Sequence, residues 1–312
     1  MEHKIDPLFR PLVKNTEASD SIQRPSISNI QQVIHKLVKN KLAMFGLALI
    51  LILIAMAIIG PHMVSYSYSD QSLLDRNQPM SGEHWFGTDD LGRDMFARTW
   101  YGARISLTIG IVAALIDLLI GVTVGGIAGY WAGRGKKGDR IDSIIMRIIE
   151  ILYGLPYLLV VILLMVVMEP GLTTIIIALS ATGWTGMARL VRGQILQLKN
   201  QEFILAAQVL GAKFSRILLK HLIPNTLGVI IVNLTFTIPS AIFAESFLSF
   251  LGLGVQAPIA SWGTMTNDAL GVILTGDWWR LFFPALMISL TMFAFNVFGD
   301  GLQDALDPRV RD

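Results

Sequence analysis

The chain has 312 residues, a formal net charge of +2 and no cysteine. Hydrophobic residues make up 53% of it and charged residues only 15%, with a mean hydropathy of +0.57, which excludes an ordinary soluble domain. Without cysteine there is neither a disulfide nor a thiolate metal site.

Residues 1–40 begin with a polar stretch rich in Asn, Ser and Gln and read as a mobile N-terminal arm, to which no chemistry is assigned. Six nearly uncharged stretches follow, near 42–64, 105–131, 148–168, 171–188, 224–250 and 281–299. Each is long enough to cross about 30 Å of hydrocarbon as a helix. Barrel strands would alternate over about ten residues, and these blocks do not alternate. The expected fold is therefore an all-α integral membrane protein with six transmembrane helices. About 40 residues precede the first block, and Gly60-Pro61 interrupts the place of a small-residue cleavage site, so the block is read as a retained helix rather than a signal peptide.

The distribution of positive charge gives an orientation. Seven Lys and Arg precede the first stretch, five lie between Arg134 and Arg147, six between Arg189 and Lys220, and two in the tail. The alternate segments hold five: Arg76, Arg93, Arg98, Arg104 and Arg280. Twenty against five predicts a multi-pass protein of the cell membrane with both termini cytoplasmic. The expected organisation is an arm at 1–40, a first transmembrane helix at 41–64, an extracytoplasmic segment at 65–103, a transmembrane domain at 104–306 and a cytoplasmic tail at 307–312. Residues 65–103 carry Trp85, Phe86, Trp100 and Tyr101 among many charges and are expected to form a small outer structure. Residues 251–280, with Trp262, Trp278 and Trp279, are expected to be interfacial or re-entrant.

Within the membrane three kinds of residue stand out. Gly121, Gly125 and Gly129 recur every four residues and present a small-residue ridge for helix packing. Pro156 and Pro239 fall inside spans and predict bends. Asp117, Glu150 and Glu245 are ionisable residues at membrane depth, hence candidate pore-lining or buried polar groups. Asp117 lies one turn from Gly121, which favours a polar contact with a neighbouring helix over proton coupling. The string GRGKKG at 133–138 has the spacing of a dinucleotide fingerprint, but an apolar helix rather than a strand precedes it, and Lys136 is followed by Lys137 instead of Ser or Thr. No ATP hydrolysis is expected in this chain.

The connection between the fourth and fifth spans reads EFILAAQVLGAKFSRILLKHLIPN, residues 202–225. Ala206, Ala207 and Leu210 suggest a short helix broken at Gly211, after which Ile217 to Leu222 lead to Pro224 at the next span. This string resembles the "EAA" loop of permeases in binding-protein-dependent ABC importers, with Leu205 where the motif usually has Glu. The stretches 84–107, 188–196, 246–263 and 299–309 narrow the resemblance to the peptide and nickel branch, and within it to the oligopeptide C-type permeases.

The resemblance implies a type I ABC importer transmembrane domain. Its cytoplasmic coupling loop, 195–223, would present Leu205, Ala206, Ala207, Gly211, Ile217 and Leu222, with Pro224 just beyond, to an ATPase. The implied partners are a second homologous permease subunit, two ATPase subunits, an extracytoplasmic peptide-binding protein and membrane lipid, with no nucleic acid. ATP and Mg would be bound by the ATPase subunits, and no cofactor or metal by this chain. The implied function is ATP-driven oligopeptide import by alternating access. Dipeptide or nickel import remains an alternative, as does, more remotely, a secondary transporter.

Overall fold

The computed structural model describes residues 29–273 and 276–306, and all regular structure within them is helical apart from one isolated bridge between Thr88 and Asp94. Most of the expected arm and the whole of the expected tail lie outside the described residues.

An amphipathic helix, α1 (Asn29–Lys39), leads into α2 (Lys41–Ile59). The two part at Asn40, whose backbone is extended and whose side-chain carbonyl accepts from the Ala43 N–H at 3.1 Å. That N-cap supplies a partner for an otherwise orphaned donor. α3 (Met95–Trp131) starts in the same way, with the Asp94 carboxylate accepting from the Ala97 N–H at 2.8 Å. The cap sets the helix start well before the expected 105, so Arg98 and Arg104 belong to the helix and not to the preceding segment.

The stretch expected as a third span with a bend at Pro156 falls on two helices, α4 (Gly135–Gly154) and α5 (Tyr157–Met168), bent by 86° to each other. Pro156 explains the break: it has no N–H to continue α4, and it holds Leu155 at φ −75° and ψ 133°. α6 (Leu172–Leu198) runs past the expected end at 188. Then come α7 (Glu202–Val209), α8 (Phe214–Ile217), a π-helical turn at Leu218–Leu222, α9 (Ile223–Phe250), α10 (Trp262–Asp268) and α11 (Trp279–Leu306). Among the described residues, five helices are long and apolar enough to cross a membrane, and six spans result if the bent α4–α5 pair counts as one. The π-turn falls where Pro224 has no N–H to give to the carbonyl four residues back, and the Ile223 N–H bonds Leu218 O five residues back.

α3 and α6 form the central pair. A Cβ on Gly121 would lie 2.6 Å from that of Met187, one on Gly129 would lie 2.9 Å from that of Ile195, and one on Gly125 would run into the Ala188 backbone carbonyl. The three glycines therefore let the two backbones approach closely. α2 packs on α11, and α9 on both α3 and α11.

The bundle has two distinct ends. At one, Arg104 Nε and Nη2 donate to Ala57 O at 2.5 Å and Ile58 O at 2.7 Å, tying the start of α3 to the last carbonyls of α2. α10 and the start of α11 gather there; we call it the loop end. At the other, the terminal end, Gly301 of α11 lies against Ala43 of α2, and Leu306 lies against Gly228 of α9.

Candidate coupling loop and buried polar groups

The segment 202–222 sits at the terminal end and divides into two kinds of residue. Ile204, Ile217 and Leu222 are fully buried, packed with Tyr130 of α3 and with Val191 and Ile195 of α6. Fully burying such a side chain contributes about 1.5–3 kcal/mol, so these three fasten the segment to the bundle. Phe214 adds edge contacts to Tyr130, with ring centroids 4.6 Å apart, and lies 5.9 Å from the ring of Trp131. The other kind points away. Val209 and Leu210 are 88% and 86% exposed, and Leu205 and Ala206 are exposed as well. Ala207 is half-buried, and Pro224 is exposed where α9 begins.

Gly211 turns the chain between these faces. Its φ is +77°, a left-handed conformation that side chains bearing a Cβ rarely adopt, and nothing lies within 4 Å of where a Cβ would be. Its N–H closes the turn by donating to Gln208 O at 2.9 Å. Of the residues the sequence assigned to docking, Ile217 and Leu222 are thus mounting residues, because their apolar side chains are consumed by the bundle. Val209 and Leu210 were not singled out as docking residues, although they come directly before Gly211 in the string.

Charges brace this mount. Arg192 of α6 forms a two-pronged ion pair with Asp142 of α4, at 2.6 and 2.7 Å. Lys199 donates to the carbonyls of Gly129 and Ala132, the unsatisfied end of α3. Burial against that end, followed by the Arg134 guanidinium, holds the Lys199 ammonium below its usual range, with Asp142 opposing.

The three candidate membrane carboxylates have different fates. Glu245 of α9 is fully buried and accepts from Ser106 of α3 at 3.0 Å, Ser249 at 2.8 Å and Ser261 at 2.7 Å. Ser261 also caps α10, and Ser106 accepts from the Trp262 N–H at 3.2 Å. One carboxylate therefore joins α3, α9 and α10. Asp117 is buried against Gly183 of α6, where any Cβ would collide with its carboxylate. Its Oδ1 has no hydrogen-bond partner among the described residues, and neither has the hydroxyl of Tyr157. Glu150 is exposed, with Arg147 at 3.8 Å; it is not a buried polar group, because α4 is amphipathic and carries it on an open side lining a cavity of about 640 Å³ with Arg140, Asp142 and Arg192.

The loop end holds a cluster on which the sequence analysis placed no weight. Arg93 Nε pairs with Asp89 at 2.6 Å, Arg98 with Asp268 at 3.1 Å, and Arg280 with Asp90 at 3.0 Å. All three guanidiniums are buried. His84 Nδ1 lies 2.8 Å from the Asp94 carboxylate that caps α3. Burial pushes the Asp268 carboxyl upward, Arg98 and Arg93 pull it back, and Asp90 and Asp89 push it further up. The sequence signal for this cluster was the density of acids and arginines at 89–98, which reads as a charged surface until pairing partners 170 and more residues away are known.

Residues 121–312 match the family described as "binding-protein-dependent transport system inner membrane component". The chain belongs to that family. Residues 28–79 match a second family, the "N-terminal TM domain of oligopeptide transport permease C". Among similar proteins, the dipeptide transport system permease protein DppC of Bacillus subtilis is 66% identical over 298 residues, covering 96% of this chain and 91% of the relative. The oligopeptide transport system permease protein OppC of the same organism is 56% identical over 304 residues, covering 97% of each. OppC of Haemophilus influenzae is 42% identical over 275 residues, 88% of this chain and 86% of the relative. A solved structure of the MetNI methionine ABC transporter in inward-facing conformations superposes with a TM-score of 0.54 at 20% identity, covering 66% of this chain and 94% of that one. That likeness shows the fold alone: a transmembrane domain of the ABC importer type. The dinucleotide-like string of this permease also finds its place, since Gly133 and Gly135 take φ values of +71° and +73° in the turn between α3 and α4. The element that leads into them is helix α3 rather than a strand.

Proposed function

We propose that this permease forms half of the translocation pathway of an ATP-driven importer of oligopeptides, with ATP bound and hydrolysed by two ATPase subunits that dock on the 202–222 segment. The observation that carries the docking is the pairing of the exposed Val209–Leu210 tip with the rigid mount behind it. Exposed apolar side chains on a fixed turn suit a hydrophobic groove, and closure of the ATPase pair shifts the permease only through contacts that differ between its two states. The peptide cargo is supported by the names of the relatives. A second permease subunit completes the pathway, and a binding protein delivers peptide to the loop end.

On this reading both termini and the 202–222 segment face the cytoplasm, supported by the excess of Lys and Arg in the segments at that end. Single cysteines test it, because the chain has none. A membrane-impermeant thiol reagent applied to intact cells should label a cysteine at Leu74, which is 94% exposed at the loop end, and spare one at Ser215; the reverse pattern inverts the topology. A second reading, dipeptide import, is favoured by the 66% identity to DppC. Uptake measurements on the complete complex with its binding protein separate the two. ATP-dependent accumulation of tetra- and pentapeptides supports oligopeptide import, accumulation of dipeptides alone supports the second reading, and accumulation of nickel without either peptide contradicts both.

A further inference from the structure

Helix α1 meets three different surroundings. Successive side chains on a helix turn by about 100°, so Val33 and Leu37 share one face. They are half-buried, and α1 packs against α11 and α2. Ile34 and Val38, one turn apart, lie beside that face and are 55% and 58% exposed. Gln31, His35 and Lys39 follow at the same spacing on the next face, and all three are exposed.

Exposed apolar side chains continue past Asn40 onto α2. Leu42 and Phe45, in the first turns of α2, are exposed, as are Leu51, Ile52, Ile58 and Ile59 farther along the same spanning helix. Within the stretch itself the charge has one sign: residues 29–45 contain His35, Lys36, Lys39 and Lys41 and no Asp or Glu, while the acids Asp300 and Asp304 belong to α11. An amphipathic helix with an apolar side, a basic side and a junction to a spanning helix has the character of one lying in the plane of a membrane interface.

We propose that α1 is an interfacial helix that binds anionic phospholipid at the terminal end of the bundle. Ile34 and Val38 enter the acyl region beside α2, and Lys39 and Lys41 contact the acidic headgroups. The occupant follows from two observations together: the apolar side of α1 is followed by exposed apolar side chains on α2, a helix long and apolar enough to cross a membrane, and the basic residues complement an acidic leaflet. Each lysine held at such a surface raises the preference for anionic lipid roughly fivefold.

The test uses the full chain in its complex, reconstituted into vesicles of phosphatidylcholine with and without phosphatidylglycerol. Spin labels are placed on single cysteines at Val38 and, separately, at Lys39. The label at Val38 should collide with oxygen in preference to a water-soluble nickel chelate, and the label at Lys39 should show the opposite preference. A Val38 label open to the chelate, or shielded from both by protein, overturns the proposal; a cysteine at Ile34 gives the same readout where the Val38 variant assembles poorly. The phosphatidylglycerol arm addresses the headgroups. Lys39→Glu with Lys41→Glu should lower the phosphatidylglycerol retained by the purified complex severalfold, and unchanged retention overturns the anionic-lipid assignment.

Discussion

At the loop end, Arg93, Arg98 and Arg280 are buried and paired with Asp89, Asp268 and Asp90, and Trp262 is fully enclosed with its indole N–H donating to Thr99 O at 2.9 Å. At the terminal end, the most prominent side chains of the 202–222 segment, Val209 and Leu210, touch almost nothing. The first arrangement pairs its buried guanidiniums with its own carboxylates and closes on itself, with Arg98 Nε and Nη1 held by charge rather than by hydrogen bonds. The second buries only what is needed to hold the segment, through Ile204, Ile217 and Leu222, and leaves apolar surface for another molecule. Substitutions at the two ends should therefore separate cleanly into those that cost folding and those that cost coupling.

The largest folding effect is expected at the loop end. Arg93→Met removes the guanidinium from a buried pair and leaves Asp89 without its closest cation, at a cost of about 3–5 kcal/mol. Thermal unfolding of the purified complex should show a lower midpoint, and an unchanged midpoint would mean that the cluster is not a structural closure. Glu245→Leu comes next, since the hydroxyls of Ser106, Ser249 and Ser261 lose their common acceptor. Leaving one such buried group unsatisfied costs about 1–3 kcal/mol. Glu245→Gln keeps an acceptor and should recover much of the loss. If the Gln variant is as unstable as the Leu variant, the carboxylate itself is required rather than a hydrogen-bond acceptor.

A smaller effect is expected between the two ends. Asp117→Asn leaves the fit against Gly183 nearly unchanged in volume and removes a charge whose Oδ1 has no hydrogen-bond partner among the described residues. Stability should hold or rise, and ATP-driven uptake should persist. Loss of transport in a stably assembled Asp117→Asn complex would give that carboxylate a role in the transport step itself.

The membrane class, the six apolar stretches and the family were legible in the sequence because composition, long hydropathy blocks and ordered strings are local properties. The places of helix ends were less so. Asp94 starts α3 through its side chain, and nothing in hydropathy distinguishes a capping aspartate from the charges around it. Pro156 was recognised as a bend, yet the 86° break it makes also depends on α4 being amphipathic enough to leave the direction of α5. The glycine spacing at 121, 125 and 129 could be read directly, since close packing needs only periodicity. The coupling segment was found as a string but its two faces were not separated. Whether Ile217 faces outward or inward is decided by Tyr130 and Ile195, more distant in sequence, and not by its neighbours. Two of the loop-end ion pairs were hidden for the same reason, since Arg98 of α3 meets Asp268 of α10 and Arg280 of α11 meets Asp90.

The smallest folding effect belongs to the substitution with the largest expected loss of function. Val209→Asp with Leu210→Asp changes two side chains that are almost wholly exposed, and substitutions at such positions usually shift stability by no more than about 0.5 kcal/mol. The decisive measurement compares ATPase co-purification and peptide uptake for this double variant with its thermal midpoint. The docking account predicts an unchanged midpoint, loss of the ATPase subunits from the purified complex and loss of uptake. Normal uptake with the ATPase subunits retained would contradict it.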